Sequence, residues 1–325
     1  MEYLVKYSII TIILILLEII YFPIAKRYRI GCGVTPRSSH NKFVITGGGL
    51  IFYISAILFY FIFNPKQLPT SFSIMLIGAS ILAVISFYDD IKSLAPWMRL
   101  IIQIAVVAVT FNQIFFNGYY EIYLLLLICG VGFINAYNFM DGINGILVSY
   151  SIVTLSTILY CYLTIENNIE CGIIQFIIPL IISTIIFGVL NFRVNAKCFS
   201  GDVGAIVMGF FILYLMAELI FITTEASLII FLIVYAIDTV FTIFQRLFAG
   251  ENIFLPHRLH LYQILVNQWG IKHHIVSIYY AITQLVINIA YLLIPDDFKW
   301  SFFILVTIVL TIIYFSLKRS SKSRN

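Results

Sequence analysis

Charge is what this chain lacks most. Only 10% of its 325 residues are Asp, Glu, Lys or Arg, while 62% are hydrophobic. A soluble domain carries about 25% charged residues, so this chain cannot cover a water-facing surface and reads as an integral membrane protein. Cysteine is scarce and scattered. The five (Cys32, Cys129, Cys161, Cys171 and Cys198) form neither a metal spacing nor a disulfide framework and are expected to pack as small apolar residues. The formal net charge is only +4, which argues against nucleic acid as a partner. A cleavable signal is not expected either: the first apolar run is too long and lacks a small-residue cleavage site, so it reads as the first span. Repeats and low-complexity segments are also missing.

What is present is a succession of apolar runs, each long enough for one helical crossing. They lie near 3–23, 47–63, 71–88, 99–116, 120–137, 146–164, 172–191, 204–222, 227–245, 274–294 and 299–317. The expected fold class is therefore all-α: a polytopic membrane helix bundle of about eleven spans, forming one domain over residues 1–325 and ending in a short basic tail from residue 318 to 325. Lys and Arg set the orientation. Sixteen of the 19 fall on one set of alternate connections, leaving only Lys6, Lys66 and Lys299 on the other. This places the N-terminus outside and the C-terminus in the cytoplasm.

Four polar islands interrupt the apolar runs, and the orientation puts all of them on the cytoplasmic side. They hold four of the seven Asp residues. Ionisable groups at a membrane boundary carry a free-energy penalty unless something uses them, so each island is a candidate site. Asp89-Asp90-x-Lys92 ends the third run. Adjacent carboxylates repel, and a divalent ion with oxygen ligands, Mg²⁺ or Mn²⁺, would relieve that; a solvated helix end is the bland alternative. Asn135, Asn138, Asp141 and Asn144 recur every third residue. On a helix they would share a face, offering amides to a base or sugar, or to a neighbouring helix. Ser200-Gly201-Asp202-x-Gly204 opens the eighth run, where a helix N-terminus favours phosphate and Asp202 can bring a metal to it; a capping Asp among packing glycines is the alternative. His257-Arg258-x-His260 would present both histidines on one face if helical. Arg beside His suits a diphosphate, or simply a basic loop. Arg37, His40 and Lys42 add cations ahead of Gly47-Gly48-Gly49. Asp238 sits inside the ninth run with Arg246 two turns on, and both are expected to face the interior. His273 and His274 stand in no motif. Carboxylates, cations and amides gathered on one face describe phosphoryl transfer from a nucleotide-activated donor. A transporter of a phosphorylated or acidic solute is the rival, but it should keep its charges near the bilayer midplane.

The segments SFYDDIKSL, NAYNFMDGINGI, FSGDVGA and RLFAGENIFLPHRLHLYQ resemble the polyprenyl-phosphate N-acetylhexosamine-1-phosphate transferases, in the family's order and over nearly the whole chain. RSSHNKFVITGGG and the HRLH-Y pattern resemble the O-antigen-initiating branch; the muramoyl branch would show consecutive histidines. The resemblance implies Mg²⁺-dependent transfer (Mn²⁺ as an alternative) of N-acetylhexosamine 1-phosphate from a UDP-N-acetylhexosamine to undecaprenyl phosphate. UMP would be released at the cytoplasmic face of the inner membrane, and the enzyme could form a homodimer. By motif position it implies Asp89 and Asp90 near the metal and the lipid phosphate, with Asp202 a metal ligand and Asp90 a second. It places Asn138 and Asp141 on the nucleotide side and Lys42 and Phe199 near the uracil. Gly201, Asn144 and Arg246 would bind substrate, and His257, Arg258 and His260 would meet the diphosphate or sugar. Many members carry Asp where this chain has Asn144, which weakens any role needing charge there.

Overall fold

The computed structural model describes residues 1–32, 44–65, 68–115, 120–165, 171–252, 255 and 257–322. Helices dominate: α1 (Glu2–Arg27), α2 (Leu50–Phe63), α3 (Thr70–Ile91), α4 (Pro96–Phe115), α5 (Tyr120–Met140), α6 (Ile146–Thr164), α7 (Cys171–Asn191), α8 (Gly201–Thr223), α9 (Ile233–Phe248), α10 (Leu261–Asn267), α11 (His273–Leu293) and α12 (Lys299–Lys322). A 3-10 helix over Ala226–Leu232 runs directly into α9. Among the described residues ten helices are long and apolar enough to cross a membrane, and the 14-residue α2 is a shorter apolar one. The chain is thus an all-α, multi-pass membrane protein. A bilayer leaves no water for backbone groups, so the helix, which pairs its own, is the expected spanning element.

The bundle is built around α8. Every residue from Val203 to Leu219 is buried, as expected for a helix that is apolar all round. Small residues let its neighbours approach closely: Gly204 lies against Gly49 so tightly that neither has room for a Cβ, and Gly209 faces Tyr137. The peripheral α12 is the opposite case, showing Ile304, Leu305, Ile308 and Ile312 to the exterior. It continues to Lys322, and Lys318 is held rather than free: its Nζ donates to Gln245 at 2.8 Å and lies 4.7 Å from the Tyr314 ring centre. The tail expected from residue 318 therefore begins as helix packed on α9. In α7, Pro179 removes an N–H that would have bonded the Gln175 carbonyl, and the Tyr7 hydroxyl of α1 reaches that carbonyl at 3.5 Å.

A small extended patch positions the polar end of the bundle. Two-residue strands β1 (Gly31–Cys32) and β2 (Val44–Ile45) pair antiparallel, and Ile45 bridges to Cys198. The pairing continues as Phe199 N–H to Ile45 O, Gly48 N–H to Phe199 O and Gly49 N–H to Ser200 O, all within 2.8–3.0 Å. This strap fixes the glycine triplet before α2 onto the loop that starts α8. Asn191 secures the same loop, donating to Cys198 O at 2.9 Å and accepting from Gly145 N–H at 2.7 Å.

Candidate active site

The C-terminus of α3 and the N-terminus of α8 meet, which brings together two aspartate motifs more than a hundred residues apart. The neighbours Asp89 and Asp90 turn to different partners. Asp90 reaches the start of α8, where Oδ1 accepts the Asp202 N–H at 2.8 Å and Oδ2 accepts the Val203 N–H at 3.1 Å. It therefore occupies the anion position expected for a phosphate, and an internal carboxylate satisfies the orphan donors and helix dipole there. Gly201 makes this possible: its φ of +72° is left-handed, and a side chain on it would collide with the Asp90 carboxylate. The missing Cβ makes room for the Asp90 carboxylate.

Asp89 instead accepts from Leu94 N–H at 2.5 Å through Oδ1 and from Arg99 Nη1 at 2.6 Å through Oδ2. The same Nη1 lies 2.7 Å from Asp202 Oδ2, and Asn138 Nδ2 donates to Asp202 Oδ1 at 3.3 Å. A single guanidinium nitrogen on α4 thus joins carboxylates of α3 and α8. Asp141 lies just beyond, accepting from the Ser200 hydroxyl. Burial pushes its carboxyl up to about 7, with the neighbouring negative charges of Asp202 and Asp90 adding to the shift.

The asparagine row does not share one helix face, because α5 ends at Met140. Asn135 donates to Gln103 Oε1 at 2.6 Å and Asn138 to Asp202, whereas Asn144 turns away. Its amide donates to Arg193 O and Val194 O at 2.9 and 3.2 Å, and its N–H meets His273 Nδ1 at 3.3 Å. Asn144 is thus a tie between loops, and His273 has a structural place that no motif announced.

The histidine pair is not helical either. His257 lies in the loop before α10 and His260 is that helix's N-cap, joined to Gln263 in a capping box. Their rings are 4.9 Å apart. Burial, with the charges of His260 and Arg246, pushes His257 down to about 4, so it is neutral at physiological pH. His260 Nδ1 stands 3.4 Å from Asp238 Oδ1. Asp238 is buried and also accepts from Leu261 N–H, Tyr262 N–H, Tyr280 Oη and Thr242 Oγ1 at 2.8, 3.3, 2.7 and 3.3 Å. Both Asp238 and Arg246 do face the interior. Arg246 holds the α9–α10 loop through Glu251 at 2.9 Å and Asn252 O at 2.6 Å, so its described contacts are structural. Arg258 lies in the same loop. Phe199 contributes its backbone to the strap described above. Lys42, Arg37 and His40 lie outside the described residues.

These groups head a cavity of about 800 Å³. Arg99, Asn135, Asn138, Asp202, His257, His260 and Gln263 line its polar end; Ile104, Leu124, Leu127, Ile128 and Val131 continue it as an apolar groove along α4 and α5. Among the described residues no three His, Cys, Asp or Glu side chains converge as a ready-made metal cluster. Two carboxylate oxygens do converge on one cation, the Arg99 Nη1. Two carboxylates fit Mg²⁺, which commonly binds through one or two of them plus waters and substrate phosphates. Arg99 and Gln103 were missed as site residues. The available signal was that Arg99 is the only charged residue of α4 and stands in its first turn.

The glycosyl transferase family 4 profile matches residues 72–220, which contain most of α3 and α8 and three of the four islands. Over 331 residues the chain is 25% identical to a probable undecaprenyl-phosphate N-acetylglucosaminyl 1-phosphate transferase of Bacillus subtilis, covering 95% of this chain and 91% of that protein. It is 28% identical over 257 residues to the undecaprenyl-phosphate alpha-N-acetylglucosaminyl 1-phosphate transferase of Escherichia coli, with 71% and 67% covered. A phospho-N-acetylmuramoyl-pentapeptide-transferase of Lactobacillus gasseri is 26% identical over 279 residues, with 77% and 84% covered.

Proposed function

The chain belongs to the polyprenyl-phosphate hexosamine-1-phosphate transferase family, and from that premise we propose that it transfers N-acetylhexosamine 1-phosphate from a UDP-sugar to undecaprenyl phosphate. The product, a lipid-linked sugar diphosphate, would start a cell-surface glycan such as O-antigen. The observation that carries the reading is the cavity itself. Its polar end holds a carboxylate, an arginine and amides, and its other end is an apolar groove suited to a prenyl chain. The charged groups stand at helix ends, Asp89 and Asp90 closing α3 and Asp202 opening α8, as a membrane-surface enzyme requires.

An oxygen of the lipid phosphate attacks the β-phosphorus of the UDP-sugar. The bond from that phosphorus to the oxygen bridging to the α-phosphate breaks, and UMP leaves with the bridging oxygen. Mg²⁺ held by Asp89 and Asp202 would neutralise charge on the diphosphate. A phosphate monoester with a second pKa near 6 is mostly dianionic at neutral pH, so no strong base is needed and positioning dominates. Asn138 orients Asp202, and Asp90 sets where α8 begins. His257, being neutral, offers a hydrogen bond to phosphate or sugar without adding charge. The active site would face the cytoplasm, where UDP-sugars are found.

The test is UMP release by the purified protein in detergent, with undecaprenyl phosphate, Mg²⁺ and a panel of UDP-N-acetylhexosamines and their 6-deoxy relatives. The reading requires UMP and a lipid-linked sugar in equal amounts for at least one donor. Uptake of a phosphorylated solute into vesicles, with no UMP from any donor, would instead favour a transporter.

A further inference from the structure

We propose that Arg99 is a tethered cation that holds the Asp89–Asp202 pair until a divalent metal displaces it, and that the released guanidinium then binds a phosphate in the cavity. This rests on the metal-dependent reading above. Asp89 and Asp202 each have one oxygen fixed by an internal donor, Leu94 N–H and Asn138 Nδ2 respectively. Each turns its other oxygen to the same point, and at that point lies one nitrogen of Arg99, 2.6 and 2.7 Å away. An arginine that simply pairs with a carboxylate tends to use two nitrogens on one partner. A single nitrogen bridging carboxylates of two helices has the placement of a bridging ion.

A metal bound to the same two oxygens would sit within a few ångströms of the guanidinium, and like charges that close repel strongly. The two cations therefore compete. Asp89 and Asp202 stand on helix ends, whereas Arg99 hangs from the first turn of α4 on a long side chain that is about one-third exposed (32%) and lines the cavity. It is the movable member and has open volume to move into. A planar fork released beside the metal is suited to a phosphate oxygen pair. Metal binding thereby becomes linked to phosphate binding through one residue.

The test measures Mn²⁺ binding to the full-length protein in detergent without substrates, following free Mn²⁺ by electron paramagnetic resonance. Arg99→Gln removes the competing charge, and Arg99→Lys replaces the fork with a shorter ammonium. Arg99→Gln is expected to bind Mn²⁺ about tenfold more tightly than wild type, the equivalent of one charge-assisted hydrogen bond, with Arg99→Lys between them. Turnover should fall in both. If Arg99→Gln does not fold, Arg99→Lys against wild type still reads the order. Equal or weaker Mn²⁺ binding in the folded variants overturns the proposal while leaving the proposed transferase function, read from UMP release by the wild-type protein, standing. Absence of Mn²⁺ binding in wild type and variants alike removes the metal reading itself.

Discussion

Two carboxylate centres of this protein are built in opposite ways. Asp238 is enclosed: two backbone N–H groups, two hydroxyls and His260 converge on it. Its work is to seat the start of α10, and with it His260, at the cavity wall. Asp89 and Asp202 share one flexible arginine and meet at the polar end of the cavity that Asp202 lines. A carboxylate wrapped by fixed donors has little left to offer a ligand. One held by a movable cation can exchange that partner. The contrast separates scaffold from chemistry among residues that look alike in the sequence, and substitutions at the two centres should fail in different ways.

The largest effect is expected from Asp202→Asn. It removes charge where a diphosphate would bind, and losing such electrostatic stabilisation lowers kcat by about 10²–10³-fold. The melting temperature should stay near wild type, because Asn keeps an acceptor for Asn138. Activity within threefold of wild type at saturating Mg²⁺ would remove Asp202 from the chemistry. Asp238→Ala should reverse the pattern. It strands the Leu261 and Tyr262 N–H groups, for a loss of about 3 kcal/mol, read as a lower melting temperature in detergent. Residual activity should keep the wild-type Mg²⁺ requirement; a shifted requirement would merge the two centres.

The smallest effect concerns pH. His257 has a folded pKa of about 4 against an ordinary 6.5, so the unfolded chain takes up its proton first on acidification. Its contribution to stability is fully present above about pH 6.5 and is lost as pH falls toward 4. His257→Asn should therefore lose less melting temperature than wild type between pH 7 and pH 5. An equal loss in both proteins would place His257 in a more solvated setting.

The spans were legible because runs of apolar residues advertise themselves: α6 and α7 begin and end almost where the hydropathy does. The candidate residues were legible as types, since Asp and His are rare here. Their partnerships were not. Spacing by threes suggested one helix face, but the chain leaves the helix at Met140, and Gly142 and Gly145 carry Asn144 to another loop. Asp90 and Asp202 looked equally suited to a metal. Only the meeting of α3 with α8 shows one of them capping the helix that carries the other, a contact across 112 residues that local pattern cannot contain. Arg99 was legible only as a topological charge, because nothing near it in sequence names its acidic partners.

The adjacent pair Asp89 and Asp90 offers the most direct test of this division. Mg²⁺ titrations of UMP release are compared for Asp89→Asn and Asp90→Asn. Asp89 shares its cation with Asp202 and Asp90 caps α8. Asp89→Asn should therefore shift the titration to higher Mg²⁺ and recover rate as Mg²⁺ is raised. Asp90→Asn should lower the rate at every Mg²⁺ concentration without moving the midpoint. Superimposable titration curves for the two variants would contradict the account and make the pair a single metal-bridging unit.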